Sequence, residues 1–215
     1  MAEKEKVDKR EHILDAAEKV FGELGYEGAS TRHLAQEACV NMAMINYYFG
    51  SKDGLLKAVL ERRIKSMTKV LEDILQQPEL TPWEKLKQAL HVYVARVAST
   101  KYFHKIVYRE ISMYRSSTGS TDYVLDNMMT NIDLVQRLLQ EGIDQGDFKP
   151  VDVEMTVATL FGTIYYIINS RRLASRTFQL DLLDDVVLQQ ELKPRLEKYF
   201  QDYLQAHLLK NETEK

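Results

Sequence analysis

The sequence predicts an all-α protein, and three observations lead to this fold class. Apolar residues recur at three- and four-residue spacing along most of the 215 residues, which is the period of an amphipathic helix. The chain contains only 4 Pro and 9 Gly, so few residues interrupt a helix. No segment alternates apolar and polar residues in the way that indicates a strand. We therefore expect a helical bundle that buries its own core.

The first helices can be placed from their caps. Residues 1–10 alternate charges without an apolar pattern, and we expect them to form a flexible tail. A helix with one apolar face follows, and Gly25 is well placed to end it. Ser30 and Thr31 are candidate N-caps of a short second helix, and Asn41 is the candidate N-cap of a short third helix.

A longer fourth helix begins near Asp53, after Gly50 ends the third, and runs towards Pro78. The apolar spacing beyond Pro78 predicts five further helical segments: 82–99, 102–115, 121–145, 153–175 and 187–209. The predicted connections between the later segments are residues 116–121, 145–150 and 177–185. All the predicted regular structure is thus helical.

Composition argues against several kinds of site. The single Cys39 excludes an intrachain disulfide, and we expect it to be a small buried residue at a turn. The five histidines lack the close pair spacing of zinc sites, so we expect neither a metal nor a cofactor. The longest apolar run, residues 157–168, is too short to span a bilayer, and Met1 is not followed by an apolar signal segment. We therefore expect a cytoplasmic protein with no membrane partner.

One segment departs from the charged character of the chain. Residues 38–50 carry no charged side chain, although 28% of all residues are charged. They include the short third helix, which a tight link joins to the short second helix, with the longer first helix as a brace. This is the helix-turn-helix plan, in which the second short helix lies in the major groove of DNA. The net charge is −3, and acidic and basic residues balance over 1–65, so overall charge adds no attraction to DNA.

The third helix has two different sides. Its apolar side is expected to dock on the first helix: Ile45, Tyr48 and Phe49. Its outer side holds Met42, Ala43, Asn46 and Tyr47, with Met44 on the flank. Asparagine can make two hydrogen bonds to adenine, and Met and Ala can pack against thymine methyl groups. Arg32 and Lys52 would anchor the DNA backbone, and Arg32 could reach a guanine.

The segment "ILDAAEKVFGELGYEGASTRHLAQEACVNMAMINYYFGSKDGLLKAVL", from Ile13 to Leu60, carries several motifs in order. A helix is followed by Gly-Tyr-x-x-Ala-(Ser/Thr)-x-x-x-(Ile/Leu)-Ala, a recognition helix and Tyr-(Tyr/His)-Phe-x-(Ser/Asn)-Lys-(Asp/Glu)-x-Leu. In these motifs the chain resembles the TetR/AcrR (tetracycline-repressor-like) family of transcriptional regulators. The resemblance covers roughly a quarter of the chain, and the C-terminal part is similar to the family only in length and helical character.

The resemblance implies roles for individual residues. Thr31 would cap the second helix and touch a phosphate, and Arg32 would reach DNA beside it. Met42, Ala43, Met44 and Asn46 would face bases, while Tyr47, Tyr48 and Lys52 would face phosphates. The predicted DNA-binding set is Thr31, Arg32, Asn41, Met42, Ala43, Met44, Asn46, Tyr47, Tyr48 and Lys52. Family members often have Gly at Cys39, Lys at Met42, Gly at Ala43 and Tyr at Asn46. These differences affect which operator is read.

The later helices carry many aromatic and methionine side chains. Such side chains suit an apolar ligand cavity and equally suit an ordinary core. The resemblance implies a small-molecule effector in this part of the chain. The candidate ligand-binding residues are Met67, Tyr93, Phe103, Tyr108, Arg109, Met113 and Met128.

Two half-sites require two copies of the protein, so we expect a homodimer. Residues 157–168 are uncharged on all sides and must be buried on several of them. They could form a four-helix interface with the terminal helix across two chains, as the last two helices do in this family, or lie at the centre of a monomer core. The predicted interface is Phe161, Tyr165, Ile168, Leu196, Phe200, Tyr203 and Leu204.

The expected organisation is a tail at 1–10, a helix-turn-helix DNA-binding domain at 11–52, and a helical ligand-binding and dimerisation domain at 53–215. The expected function is a homodimeric repressor that binds an inverted-repeat DNA operator and is released by a small molecule. An all-α ligand-binding adaptor that uses its helix-turn-helix for protein contacts stays open, since residues 1–65 carry no net charge. An enzyme has little support, because no nucleophile elbow, glycine-rich phosphate loop or metal spacing occurs.

Overall fold

The computed structural model of the protein describes residues 2–112 and 120–210. All regular structure within these ranges is helical, which confirms the predicted fold class. The helices are α1 (Ala2–Gly28), α2 (Thr31–Glu37), α3 (Met42–Phe49), α4 (Lys52–Leu75), α5 (Pro82–Ser99), α6 (Lys101–Ser112), α7 (Ser120–Asp144), α8 (Val153–Asn169), α9 (Arg171–Phe178), α10 (Asp185–Val187) and α11 (Lys193–Leu208), with a π-helical turn at Leu188–Leu192 before α11.

The chain folds into two compact units. Unit 1 combines Met1–Ser66 with Lys101–Met128, and unit 2 combines Met67–Thr100 with Met129–Lys215. Each unit has an apolar core of its own. The compact body that contains the helix-turn-helix is therefore larger than the expected domain at 11–52, because it also holds α6 and most of α4.

The N-terminal segment differs from the expected tail, because α1 already includes Ala2. Glu and Lys are good helix formers, so residues 2–10 can extend the amphipathic helix although they carry few apolar side chains. Gly25 interrupts the helical geometry with φ 74° and ψ 172°, where the sequence predicts the helix to end. Glycine adopts a positive φ without the steric penalty that a Cβ would bring.

An ion-pair cluster joins α1 to α4 within unit 1. The guanidinium of Arg62 donates to Glu11, Asp15 and Glu18 over 3.1, 2.8 and 3.0 Å. Arg63 Nε donates to the same oxygen of Glu18 over 2.8 Å. Glu18 is only 5% exposed, so both arginines are needed to compensate the loss of its hydration. The cluster fixes the first helix as a brace for α2 and α3.

Close backbone approach joins α6 to α1, also within unit 1. A Cβ at Gly22 would lie 2.6 Å from the Cβ of Tyr102, so only glycine fits there. Arg109 Nη1 donates to the carbonyls of Phe21 and Gly22, each over 3.3 Å. These carbonyls belong to the last regular turn before Gly25, where a helix leaves carbonyl groups unpaired. Arg109 therefore caps the regular part of α1.

Unit 2 packs α5, α8, α9, α11 and the later part of α7 around a second core. The predicted segment 153–175 is two helices, α8 and α9, because Ser170 leaves helical geometry at φ −115° and ψ 37°. The predicted segment 187–209 is α10, a π-helical turn and α11. Pro194 has no N–H to donate to Gln190, and the wider π-helical turn ends two residues before it, at Leu192. Among the described residues, no helix combines the length and apolarity needed to cross a membrane.

Candidate functional site

The turn between α2 and α3 has the hydrogen bonds of a Schellman motif. Val40 N donates to Ala35 O over 2.9 Å, and Cys39 N donates to Gln36 O over 3.1 Å. Cys39 takes the left-handed conformation of this motif, with φ 50°. Its side chain is exposed, so the expectation of a buried cysteine is wrong. The left-handed backbone turns the Cβ towards solvent, and glycine would adopt it without strain.

Side-chain caps fix both short helices. Ser30 Oγ accepts from His33 N over 3.1 Å and is the N-cap of α2. The prediction that Thr31 caps this helix is therefore wrong, because Thr31 is its first helical residue. The prediction that Asn41 caps α3 is confirmed, since Asn41 Oδ1 accepts from Met44 N over 2.9 Å. Gly50 ends α3 with φ 76°.

The two sides of α3 lie as the spacing predicts. Ile45 is fully buried in the core of unit 1, and Tyr48 and Phe49 pack half-buried against that core. The outer side is formed by Met42, Ala43, Asn46 and Tyr47, all exposed, with Met44 half-buried on the flank. Met42 is 50% exposed and Tyr47 is 70% exposed, so large uncharged side chains project into solvent. An exposed amide flanked by apolar groups can read base edges in the major groove.

Tyr26 connects the end of α1 to the beginning of α4, the two helices that precede and follow α2 and α3 in the chain. The Tyr26 hydroxyl donates to Asp53. Lys52 Nζ donates to the carbonyl of Tyr26 over 2.8 Å and lies 4.0 Å from the centre of its ring. The predicted phosphate contact of Lys52 would have to form in addition to these interactions. Arg32 is exposed, as a backbone anchor requires.

Four of the predicted dimer residues lie inside the core of unit 2. They are Ile168, Leu196, Phe200 and Leu204, each 7% exposed or less. Their side chains are not available to a partner chain, so the prediction that these four residues form the dimer interface is wrong. Helical spacing shows that these residues share a face, but it does not distinguish a core within one chain from an interface. Phe161 and Tyr203 are half-buried, and Tyr165 is exposed.

Beyond the exposed Glu154 in its first turn, the exposed side of α8 forms an uncharged stripe. Its members are Met155, Ala158, Thr159, Gly162 and Tyr165, of which Met155 is 63% and Tyr165 51% exposed. The Thr159 hydroxyl donates to Met155 O over 2.8 Å within the same helix, so it needs no further acceptor. The stripe therefore offers an apolar surface with few unsatisfied polar groups.

The predicted ligand-binding residues are divided between the two units. Met67 and Tyr93 belong to unit 2, and Tyr93 stacks edge to face with Phe161 at 5.2 Å between ring centres. Burial raises the pKa of Tyr93 well above its usual value. The candidate ligand-binding residues in unit 1 are Phe103, Tyr108, Arg109 and Met128, while Met113 lies outside the described residues.

A cavity of about 20 Å³ lies elsewhere in unit 2, between α5, α8, the π-helical turn and α11. Apolar side chains line it, together with Arg171 and Lys193, which sequence reasoning missed. The sequence signal for this site was the pair Arg171 and Arg172 shortly after the apolar run 157–168, because a charged side chain at the end of a buried helix needs a compensating partner. No group of three or more potential metal ligands occurs among the described residues.

Two family descriptions match the chain. Residues 13–59 match the bacterial regulatory proteins of the tetR family, and residues 82–193, more than half of the chain, match the tetracyclin repressor-like C-terminal domain. YttP, a probable HTH-type transcriptional regulator of Bacillus subtilis strain 168, is 26% identical over 144 residues, which cover 66% of this chain and 69% of that protein.

Solved structures have the same fold. The TetR family transcriptional regulator PfmR from Thermus thermophilus gives a TM-score of 0.71 at 19% identity, covering 91% of this chain and 97% of that one. FadR from Bacillus subtilis, solved in complex with stearoyl-CoA, gives a TM-score of 0.65 at 21% identity, covering 88% of this chain and 96% of that one. One conclusion follows from the capped helix-turn-helix, the helical second unit and the family matches over residues 13–59 and 82–193. The chain belongs to the TetR family of bacterial transcriptional regulators and is a DNA-binding regulator, not an enzyme.

Proposed function

We propose that the protein is a homodimeric repressor that binds an inverted-repeat operator through α2 and α3 and leaves it when a small molecule binds unit 2. The observation that carries this proposal is the outer side of α3, whose exposed side chains are uncharged and held in place by caps at both ends. Membership of a DNA-binding family favours DNA over a protein partner for this surface. We also propose a cytoplasmic location, because a repressor of this kind must reach chromosomal DNA.

The proposed dimer uses the uncharged stripe of α8. One helix-turn-helix reads one half-site, so an inverted repeat requires two chains related by a two-fold axis. A two-fold axis brings the same surface of both chains together, and the stripe can pack against its own copy without burying a charge. We propose Met155, Ala158, Thr159, Gly162 and Tyr165 as its centre.

The proposed release follows from two conformations of different operator affinity. A ligand that binds the weaker-binding conformation more tightly shifts the population towards it, and the operator is released. FadR from Bacillus subtilis was solved with stearoyl-CoA, so a protein of this fold holds a small molecule. We propose that unit 2 of this chain holds its effector as well.

The first test is selection of bound sites from random double-stranded DNA at two salt concentrations. We expect an inverted repeat whose half-sites are separated by about one helical turn of roughly 10 base pairs. Affinity should fall as salt rises, because phosphate contacts release counterions. Enrichment of single half-sites would contradict the dimer, and no enrichment by folded protein would contradict operator binding.

The second test concerns Asn46. We expect Asn46→Ala to weaken binding to the selected operator by about 1–3 kcal/mol, because an amide that reads a base loses both hydrogen bonds. Binding to random DNA should change little. Gln88→Ala removes an exposed amide from α5 and is the matched control, which should leave both affinities unchanged. Fluorescence anisotropy with labelled DNA measures the affinity of each variant for the operator and for random DNA. An equal loss on operator and random DNA would exclude base reading by Asn46.

A further inference from the structure

The cavity in unit 2 has an apolar wall. α5 contributes Val94 and Val97, α8 contributes Ile164 and Ile167, and the π-helical turn contributes Leu188 and Leu192. A volume of about 20 Å³ is enough for one or two groups of the size of a water molecule or a methyl group. The apolar part of the wall offers a water molecule no hydrogen bonds, so an aliphatic group fits that part of the space better than water.

The charged residues that line the cavity are both cations, Arg171 and Lys193. Arg171 Nε is buried and makes no hydrogen bond to any residue that the structure describes. Burial lowers the pKa of Arg171, while the charge of Asp185 acts in the opposite direction. Lys193 Nζ lies 4.0 Å from Glu197 Oε1, which is too long for a strong ion pair. An unpaired buried N–H beside a second cation is a costly arrangement that an anion would relieve.

The π-helical turn forms one side of this cavity. Single π turns within α-helices occur frequently at functional sites, because they break the regular hydrogen-bond pattern and reposition side chains. Here the turn begins and ends with the two leucines of the wall, and Lys193 follows it directly. A change in this turn would therefore alter the apolar wall and the position of a cation together.

We propose that this cavity binds a small carboxylate with a short aliphatic chain, with the carboxylate on Arg171 and Lys193 and the chain between α5, α8 and the π-helical turn. Arginine binds carboxylates with two parallel hydrogen bonds, which suits a charged group at the edge of an apolar space. Its role as the effector rests on the proposed function, whereas the binding site does not.

The test measures binding of acetate, propanoate, butanoate, hexanoate and decanoate to the full-length protein by calorimetry. Affinity should rise by about fourfold per methylene until the cavity is filled and then stop rising. Butan-1-ol has a similar chain without the charge and should bind at least about tenfold more weakly than butanoate. Equal binding of the alcohol and the acid, or no binding of any probe at millimolar concentration, would overturn the proposal.

Variants separate the charged from the apolar part of the site. Arg171→Gln should weaken butanoate binding by about tenfold or more. Arg172→Gln is the matched control, because Arg172 is the exposed neighbour on the same helix. Ala98→Leu places a larger side chain in the lining and should abolish the gain with chain length while Arg171 stays intact. Unchanged binding by a folded Arg171→Gln or Ala98→Leu protein would contradict the site.

Operator binding without any carboxylate is measured in parallel. If the protein selects an inverted repeat but binds no probe, the ligand site fails and the operator proposal stands. If it binds butanoate but selects no DNA sequence, the site stands and the proposed function fails. If butanoate binds but leaves operator affinity unchanged, the site stands and its effector role fails.

Discussion

Ser30 and Thr31 are neighbours at the start of α2, but they hold different positions in the helix. The Ser30 hydroxyl satisfies an N–H group that the first turn would otherwise leave unpaired. Thr31 lies within that first turn, and the cap does not depend on its hydroxyl. Capping therefore belongs to Ser30, and contact with a DNA phosphate stays a prediction for Thr31.

We expect Ser30→Ala to lower the free energy of unfolding by about 1 kcal/mol, the usual effect of losing an N-cap. Thr31→Ala should lower stability less and weaken operator binding instead. Urea unfolding and DNA anisotropy measure the two effects. Equal stability losses would contradict the assigned cap, and unchanged operator affinity in Thr31→Ala would remove Thr31 from the DNA interface.

Gly22 is a second residue whose environment makes a sharp prediction. Gly22→Ala should destabilise the protein by about 1–3 kcal/mol, because its methyl group overlaps Tyr102 and forces α6 away from α1. Gln88→Ala is the control, since Gln88 is exposed in the interior of α5 and alanine is at least as good a helix former as glutamine. Urea unfolding of both variants provides the comparison, and a stabilising Gly22→Ala would contradict the close contact.

The residues around α3 show what local chemistry can predict. Asn41 was predicted correctly because an asparagine before an apolar helix has few competing roles. Ser30 and Thr31 both carry hydroxyls in suitable positions, so sequence alone left the cap open. Cys39 was misplaced because small apolar residues are usually buried, and its left-handed backbone depends on how α2 ends.

At the scale of a helix, α5 begins with a reciprocal cap. Thr81 Oγ1 accepts from Glu84 N, and the backbone N–H of Thr81 donates to Glu84 Oε2 over 2.9 Å. This backbone hydrogen bond, followed by that of the Thr81 hydroxyl, lowers the pKa of Glu84 below its ordinary value of 4.5. A lowered pKa means that ionised Glu84 stabilises the folded state above about pH 4.5 and that this stability disappears as pH falls through the lower value.

We expect Glu84→Gln to lower the thermal midpoint above about pH 4.5 and to approach the unsubstituted protein below it. Thermal unfolding between about pH 3 and 6 tests this. Glu79→Gln, at an exposed position before the helix, is the control. A difference between Glu84→Gln and the unsubstituted protein that stays constant over this pH range would contradict the role of the ionised carboxylate.

The later helices were predicted less completely than the first ones. Their existence follows from apolar spacing, and α5 has the predicted bounds of Pro82–Ser99. The break at Ser170 and the π-helical turn before Pro194 depend on packing and on hydrogen bonds that spacing does not report. For the same reason Phe200 and Leu204 were assigned to an interface, although they lie in the core of unit 2.

At the scale of the whole molecule, the uncharged stripe of α8 predicts how dimerisation can be disrupted. Tyr165→Lys places a charge at its centre and should weaken the dimer at least about tenfold, because the interface would bury an unpaired ammonium. Gln88→Lys adds the same charge to an exposed position of α5 and should leave the dimer intact. Light scattering after size exclusion measures the mass. An unchanged dimer in Tyr165→Lys would place the interface elsewhere.

Unit 1 is assembled from two separate stretches of chain, and this affects how the protein is made. When the ribosome has released the first 66 residues, Ile106 and Val107 of α6 are still missing from the core that supports α3. Elongation through residue 128 takes on the order of seconds more. A prematurely terminated product would carry the exposed side chains of α3 on an incomplete core. Such fragments should be more sensitive to proteases than the full-length chain, because part of their apolar core would lie open to solvent.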